Sequence, residues 1–68
     1  MKLTLEVEQE ADGRWIAEVP ELSGVLTYGA TREQAIASAE ALALRVLAER
    51  LENGEAIPQL PMLFAVAS

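Results

Sequence analysis

The sequence predicts a small α+β domain of order β-β-β-α-β, with one long helix packed on one face of the sheet. Three observations predict it. Hydrophobic and polar residues alternate near the N-terminus, the signature of a strand with one buried face. Turn residues then punctuate the chain at Asp12-Gly13 and from Pro20 to Gly24. Between Thr31 and Asn53 there is no proline or glycine, and alanine and leucine dominate, which suits a helix.

The first strand follows from Leu3, Leu5 and Val7, which alternate with Thr4, Glu6 and Glu8. Ala11-Asp12-Gly13-Arg14 supplies hairpin chemistry, because Gly13 can take positive φ without steric cost. A second strand runs from Trp15 to Val19, with Trp15, Ala17 and Val19 on one face and Ile16 and Glu18 on the other. Pro20 ends it, having no N–H to give to a ladder. After a loop from Pro20 to Gly24, Val25 to Tyr28 makes a short third strand.

The helix carries its own boundaries. Thr31 with Gln34 three residues later forms a capping box, and Asn53-Gly54 offers a left-handed stop. At 1.5 Å per residue the helix is roughly 33 Å long, enough to cross a small sheet. Its apolar positions, Ala35, Ile36, Ala39, Leu42, Ala43, Leu44, Val46, Leu47 and Leu51, span roughly 200°, wider than the ~100° that one core needs. One flank is therefore expected to pack on the sheet. The other, around Leu44, Leu47 and Leu51, is left for a second subunit or for covering segments of the same chain.

After Glu55, the prolines at 58 and 61 lead into an apolar run from Met62 to Ala67, read as a last strand. A helical crossover returns the chain parallel to the first strand, and the right-handed crossover rule favours docking beside it, giving the order 3-2-1-4. Pro61 suits an edge position. The alternative is that this segment reaches into a neighbouring subunit.

Sixty-eight residues make one domain, 1–68, and a domain of that size buries only about 60% of its unfolded surface. With no cysteine, disulfide reinforcement is unavailable, so oligomerisation is expected. Eleven acidic residues against five basic ones give a formal charge of −6. That field repels nucleic acid and anionic membranes and attracts basic proteins. The N-terminus lacks the pattern of a signal peptide, and the Met62–Ala67 run is too short to span a membrane. A cytoplasmic location is expected.

Catalytic constellations are sparse. Without histidine or cysteine, neither a zinc site nor a Cys/His nucleophile can form. Ser23, Ser38 and Ser68 have no histidine base. Gly24, Gly29 and Gly54 make no phosphate loop; the first two read as turn punctuation and the last as a helix stop. Glu40, on the apolar side of the helix, reads as a boundary carboxylate that reaches solvent or pairs with an arginine.

The run from Trp15 through Val19-Pro20-Glu21-Leu22-Ser23-Gly24-Val25, followed by Thr27-Tyr28-Gly29-Ala30-Thr31-Arg32-Glu33-Gln34-Ala35, resembles the HicB-like antitoxin family. That pattern is an aromatic strand, a Pro-acidic-Leu-Pro-Gly turn, a short strand, and Gly-x-Thr-x-Glu-Glu-Ala opening a long helix. It covers roughly residues 3 to 53. Ser23 stands where proline is usual, and Ala30 where an acidic residue is common. The family usually appends a helix-turn-helix or ribbon-helix-helix DNA-binding domain, and the chain ends at Ser68 without one, so direct DNA binding is not expected.

The resemblance implies a partly degraded ribonuclease H-like fold and a partner: a small, basic, HicA-like toxin that cleaves messenger RNA. Nuclease chemistry on such a fold needs carboxylates converging from the first strand, the helix and the last strand around divalent metals. Glu6 or Glu8 and Glu40 could supply two of them, but residues 57 to 68 contain no acid. The expectation is a binding protein without catalytic, cofactor or metal site: an antitoxin that masks such a toxin or, alternatively, a stand-alone homo-oligomeric interaction module of the same fold without a toxin partner. Its candidate partner-binding residues are Ile16, Glu18, Glu21 and Tyr28, and its candidate self-association residues are Leu44, Leu47 and Leu51. Leu26 and Tyr28 join the Ile16 surface if they face outward, and the core if they face inward.

Overall fold

A computed structural model of the chain describes residues 3–57 and 64–67. Strands β1 (Glu6–Gln9), β2 (Trp15–Glu18) and β3 (Leu26–Gly29) precede a helix, α1 (Arg32–Glu52). The strands form an antiparallel sheet with β2 in the centre, and α1 packs across one face. The α+β class and the single long helix are as the sequence predicts.

Local chemistry explains the boundaries. Gly13 takes φ +94°, and its N–H donates to the Glu10 carbonyl at 2.9 Å while the Glu10 N–H donates to the Arg14 carbonyl at 2.7 Å. This is a turn closed by a left-handed glycine. The second connection closes twice, from the Leu22 N–H to the Val19 carbonyl at 3.0 Å and from the Val25 N–H to the Leu22 carbonyl at 3.2 Å. Gly24 takes φ +88°, as the third position of a type II turn requires. Ser23 therefore occupies the second position, where proline fits best.

Thr31 caps α1, its hydroxyl oxygen accepting from the Gln34 N–H at 3.1 Å. The return bond of the predicted capping box goes one residue earlier than usual: the Gln34 side chain accepts from the Ala30 N–H at 3.1 Å. At the other end, the Glu55 N–H donates to the Arg50 carbonyl and the Gly54 N–H to the Leu51 carbonyl. With Gly54 at φ +78°, this is a Schellman stop.

The core has two parts along the helix. Ala17, Ala35 and Ala39 are fully enclosed, with Leu5, Val7 and Trp15 around them. Further along, Ala43 and Leu47 meet Val19, Leu22, Val25 and Ile57. Small residues at the first contact bring helix and sheet close together. Gly29 marks the tightest point: a Cβ added there would lie 2.5 Å from the Ala35 nitrogen. The Thr27 hydroxyl donates to the Ala35 carbonyl at 3.0 Å beside it. Gly29 is thus a packing glycine with ordinary φ, not the turn glycine expected from its neighbours.

The predicted order 3-2-1-4 requires correction. Among the described residues the sheet has three strands, and β1 lies at its edge instead of between β2 and a fourth strand. Phe64 to Ala67 adopt no strand conformation and are exposed; residues 58–63 lie outside the described residues. Two prolines in the approach remove ladder donors, and parallel pairing is less stable per residue than antiparallel. The first strand also starts later than the alternation implies. The Thr4 N–H is taken by the Glu21 carboxylate, although Leu3 and Leu5 still pack against the core.

Candidate protein-interaction face

Period-2 geometry and the strand register fix what the sheet shows on the side away from α1. Glu8, Ile16 and Tyr28 stand opposite one another across the strands, as do Glu6, Glu18 and Leu26. Cross-strand partners share a face. Val7, Ala17 and Thr27 form the alternate row, on the helix side, where Ala17 is buried. Leu26 and Tyr28 thus point outward, 43% and 47% exposed, and join the half-buried Ile16 in an apolar strip.

Carboxylates border that strip. Glu6 sits directly opposite Glu18, an arrangement that costs stability because like charges face each other across a ladder. Glu8 lies opposite Ile16. At the hairpin end, the Arg14 guanidinium stacks over the Tyr28 ring, 4.7 Å from its centroid. The same guanidinium pairs with Asp12 at 2.8 Å. The Arg14 N–H, and then its guanidinium, hold the Asp12 carboxyl below its usual range. The ion pair leaves this end of the face close to neutral, while the rest is acidic.

Glu21, expected as a partner-binding rim charge, is exposed and also ties two segments of the fold together. Its two carboxylate oxygens accept from the Thr4 N–H at 3.2 and 3.1 Å, clamping the β2–β3 loop to the segment that enters β1. Hydrogen bonding from Thr4, side chain first, together with the backbone at Glu21, lowers its pKa. A carboxylate with a lowered folded-state pKa contributes stability above its ordinary pKa and loses it as pH falls through the lowered value. Glu21→Gln is expected to flatten the acid limb of a plot of unfolding midpoint against pH while leaving the neutral-pH fold intact. An unchanged acid limb would remove Glu21 from that role.

The helix flank divides the three leucines predicted there. Leu44 and Leu51 are 65% and 52% exposed, but Leu47 is only 6% exposed and belongs to the core. The broad apolar stripe gave no sign of where the core stopped along it. Leu44, Leu47, Ala48 and Leu51 line an open groove of about 490 Å³ whose other wall is Leu3, Leu5, Val19 and Phe64. Glu40 reaches the same groove and is exposed.

The acidic residues do not converge as a two-metal centre demands. Glu6 and Glu8 lie on the outer sheet face and Glu40 on the helix. No cluster of acids suited to a metal ion occurs among the described residues. Among those residues, too, no helix is long and apolar enough to cross a membrane. No protein-family model, no curated protein and no solved structure matches the chain.

Proposed function

We propose that this chain is an antitoxin-like binding protein that docks a basic protein on the outer face of its sheet, and that the partner is a small HicA-like mRNA-cleaving toxin. The observation that carries the reading is the Glu6–Glu18 pair, with Glu8 alongside, framing Ile16, Leu26 and Tyr28. A cross-strand carboxylate pair is a cost to the isolated fold, and cations from a partner relieve it. An RNA-cleaving protein presents cations where it binds phosphate. An acidic rim around an apolar centre is the complementary surface.

The motif from Trp15 to Ala35 supports the same reading through its likeness to the HicB-like family. In that reading the sheet and helix retain the frame of a partly degraded ribonuclease H-like fold, used for masking and not for hydrolysis. The chain inhibits by covering the toxin's RNA-binding face, and catalysis by the chain itself forms no part of the proposal. It acts in the cytoplasm, where messenger RNA and the toxin meet.

RNA cleavage by a purified HicA-like toxin tests the proposal. An equimolar amount of the chain is expected to stop cleavage. Glu6→Lys with Glu18→Lys is expected to restore most of it, because repulsion then replaces attraction at the rim. Full inhibition by that double variant would overturn the assignment of this face.

A further inference from the structure

We infer that the exposed flank of α1 is a self-association surface on which two copies of this chain pair their helices antiparallel. Ala41, Leu44, Ala48 and Leu51 are all exposed, at spacings of three, four and three residues. This is the a/d repeat of a coiled-coil seam. It lies on the side of α1 facing the groove lined by Leu3, Leu5 and Phe64, and the positions themselves carry no charge.

Two features commit the seam to a second copy. First, the seam is self-complementary in one register. Residues 44 and 48, and likewise 41 and 51, are centred on the same position, 46. An antiparallel pair centred there sets Leu44 against Ala48 and Leu51 against Ala41 of the other copy, each contact occurring twice, as a two-fold interface requires. Every layer then holds one large and one small side chain, which fills space evenly at a close interaxial distance of about 8 Å. A parallel pair would instead stack leucine on leucine and alanine on alanine.

Second, charge separates the two faces of the molecule. Two chains of charge −6 repel through the outer sheet face, where Glu6, Glu8 and Glu18 gather. The C-terminal half of α1 mixes Arg45 and Arg50 with Glu49 and Glu52, so that half of the helix carries no net charge. Self-association on the helix leaves the acidic face free, and this inference stands apart from the identity of the partner bound there.

Sedimentation equilibrium at micromolar concentration is expected to give twice the chain mass for the wild-type protein. Leu44→Glu with Leu51→Glu, both at exposed positions, is expected to halve that mass with an unchanged circular dichroism spectrum. The chain has no native cysteine, so orientation can be read by cross-linking. A mixture of Leu44→Cys and Ala48→Cys chains is expected to form a disulfide-linked dimer under mild oxidation, and each variant alone is not. A wild-type monomer, a dimer that survives the double glutamate change, or self-linking of each cysteine variant with none between them would overturn the inference. So would an unchanged mass accompanied by loss of toxin inhibition, which would hand the flank to the toxin.

Discussion

Gly29→Ala is expected to destabilise the protein by about 1–3 kcal/mol, the range for overpacking a tight contact. The added Cβ would sit 2.5 Å from the Ala35 nitrogen and 3.0 Å from the Ala35 Cα. Those atoms are helix backbone, so no flexible side chain can swing aside. The first turn of α1 must lift from β3, which also strains the bond from the Thr27 hydroxyl to the Ala35 carbonyl. Gly24→Ala offers the useful comparison, because open space surrounds that position but its φ is positive, so its cost comes from backbone conformation alone. Urea denaturation of both variants is the check. A Gly29→Ala protein as stable as the wild type would mean that the helix does not approach β3 this closely.

Leu47→Ala is expected to cost about 2–5 kcal/mol, the usual range for truncating a buried leucine. Leu47 is the large helix residue that joins Val19, Leu22, Val25 and Ile57, and a domain of this size has little stability to lose. Leu44→Ala, one turn away but 65% exposed, is expected to leave the stability of the single chain within about 0.5 kcal/mol. The contrast is best read at concentrations where self-association contributes equally little to both. Equal effects at the two positions would contradict the division of the helix flank into core and free surface.

Those residues also mark how far the sequence was legible. Features whose cause is local were readable: the Gly13 turn, the Thr31 cap and the Asn53-Gly54 stop each depend on a few neighbouring residues. Period-2 alternation placed Ile16 and Glu18 opposite Trp15, Ala17 and Val19, and thus identified an outer face. Features that depend on how elements meet were not readable. The apolar stripe of α1 gave the same signal for Leu44 and Leu47, because periodicity fixes direction and not the depth of the partner surface. Gly29 resembled a turn glycine, since only the docked helix reveals the missing space for a Cβ. The bond from the Thr4 N–H to Glu21 was not readable either, since only the fold brings the two together. Phe64 to Ala67 have strand composition, but composition alone does not dock a segment on the edge strand β1.

The central claim is that the outer sheet face binds a basic protein, and association kinetics with a HicA-like toxin test it most directly. Rim charges act mainly on the association rate, and an apolar anchor acts mainly on dissociation. Glu8→Lys with Glu18→Lys is expected to slow association about tenfold or more and to flatten its salt dependence. Ile16→Ala is expected to leave association unchanged and to speed release. The absence of any complex, or a complex whose two rates ignore both sets of changes, would contradict the account.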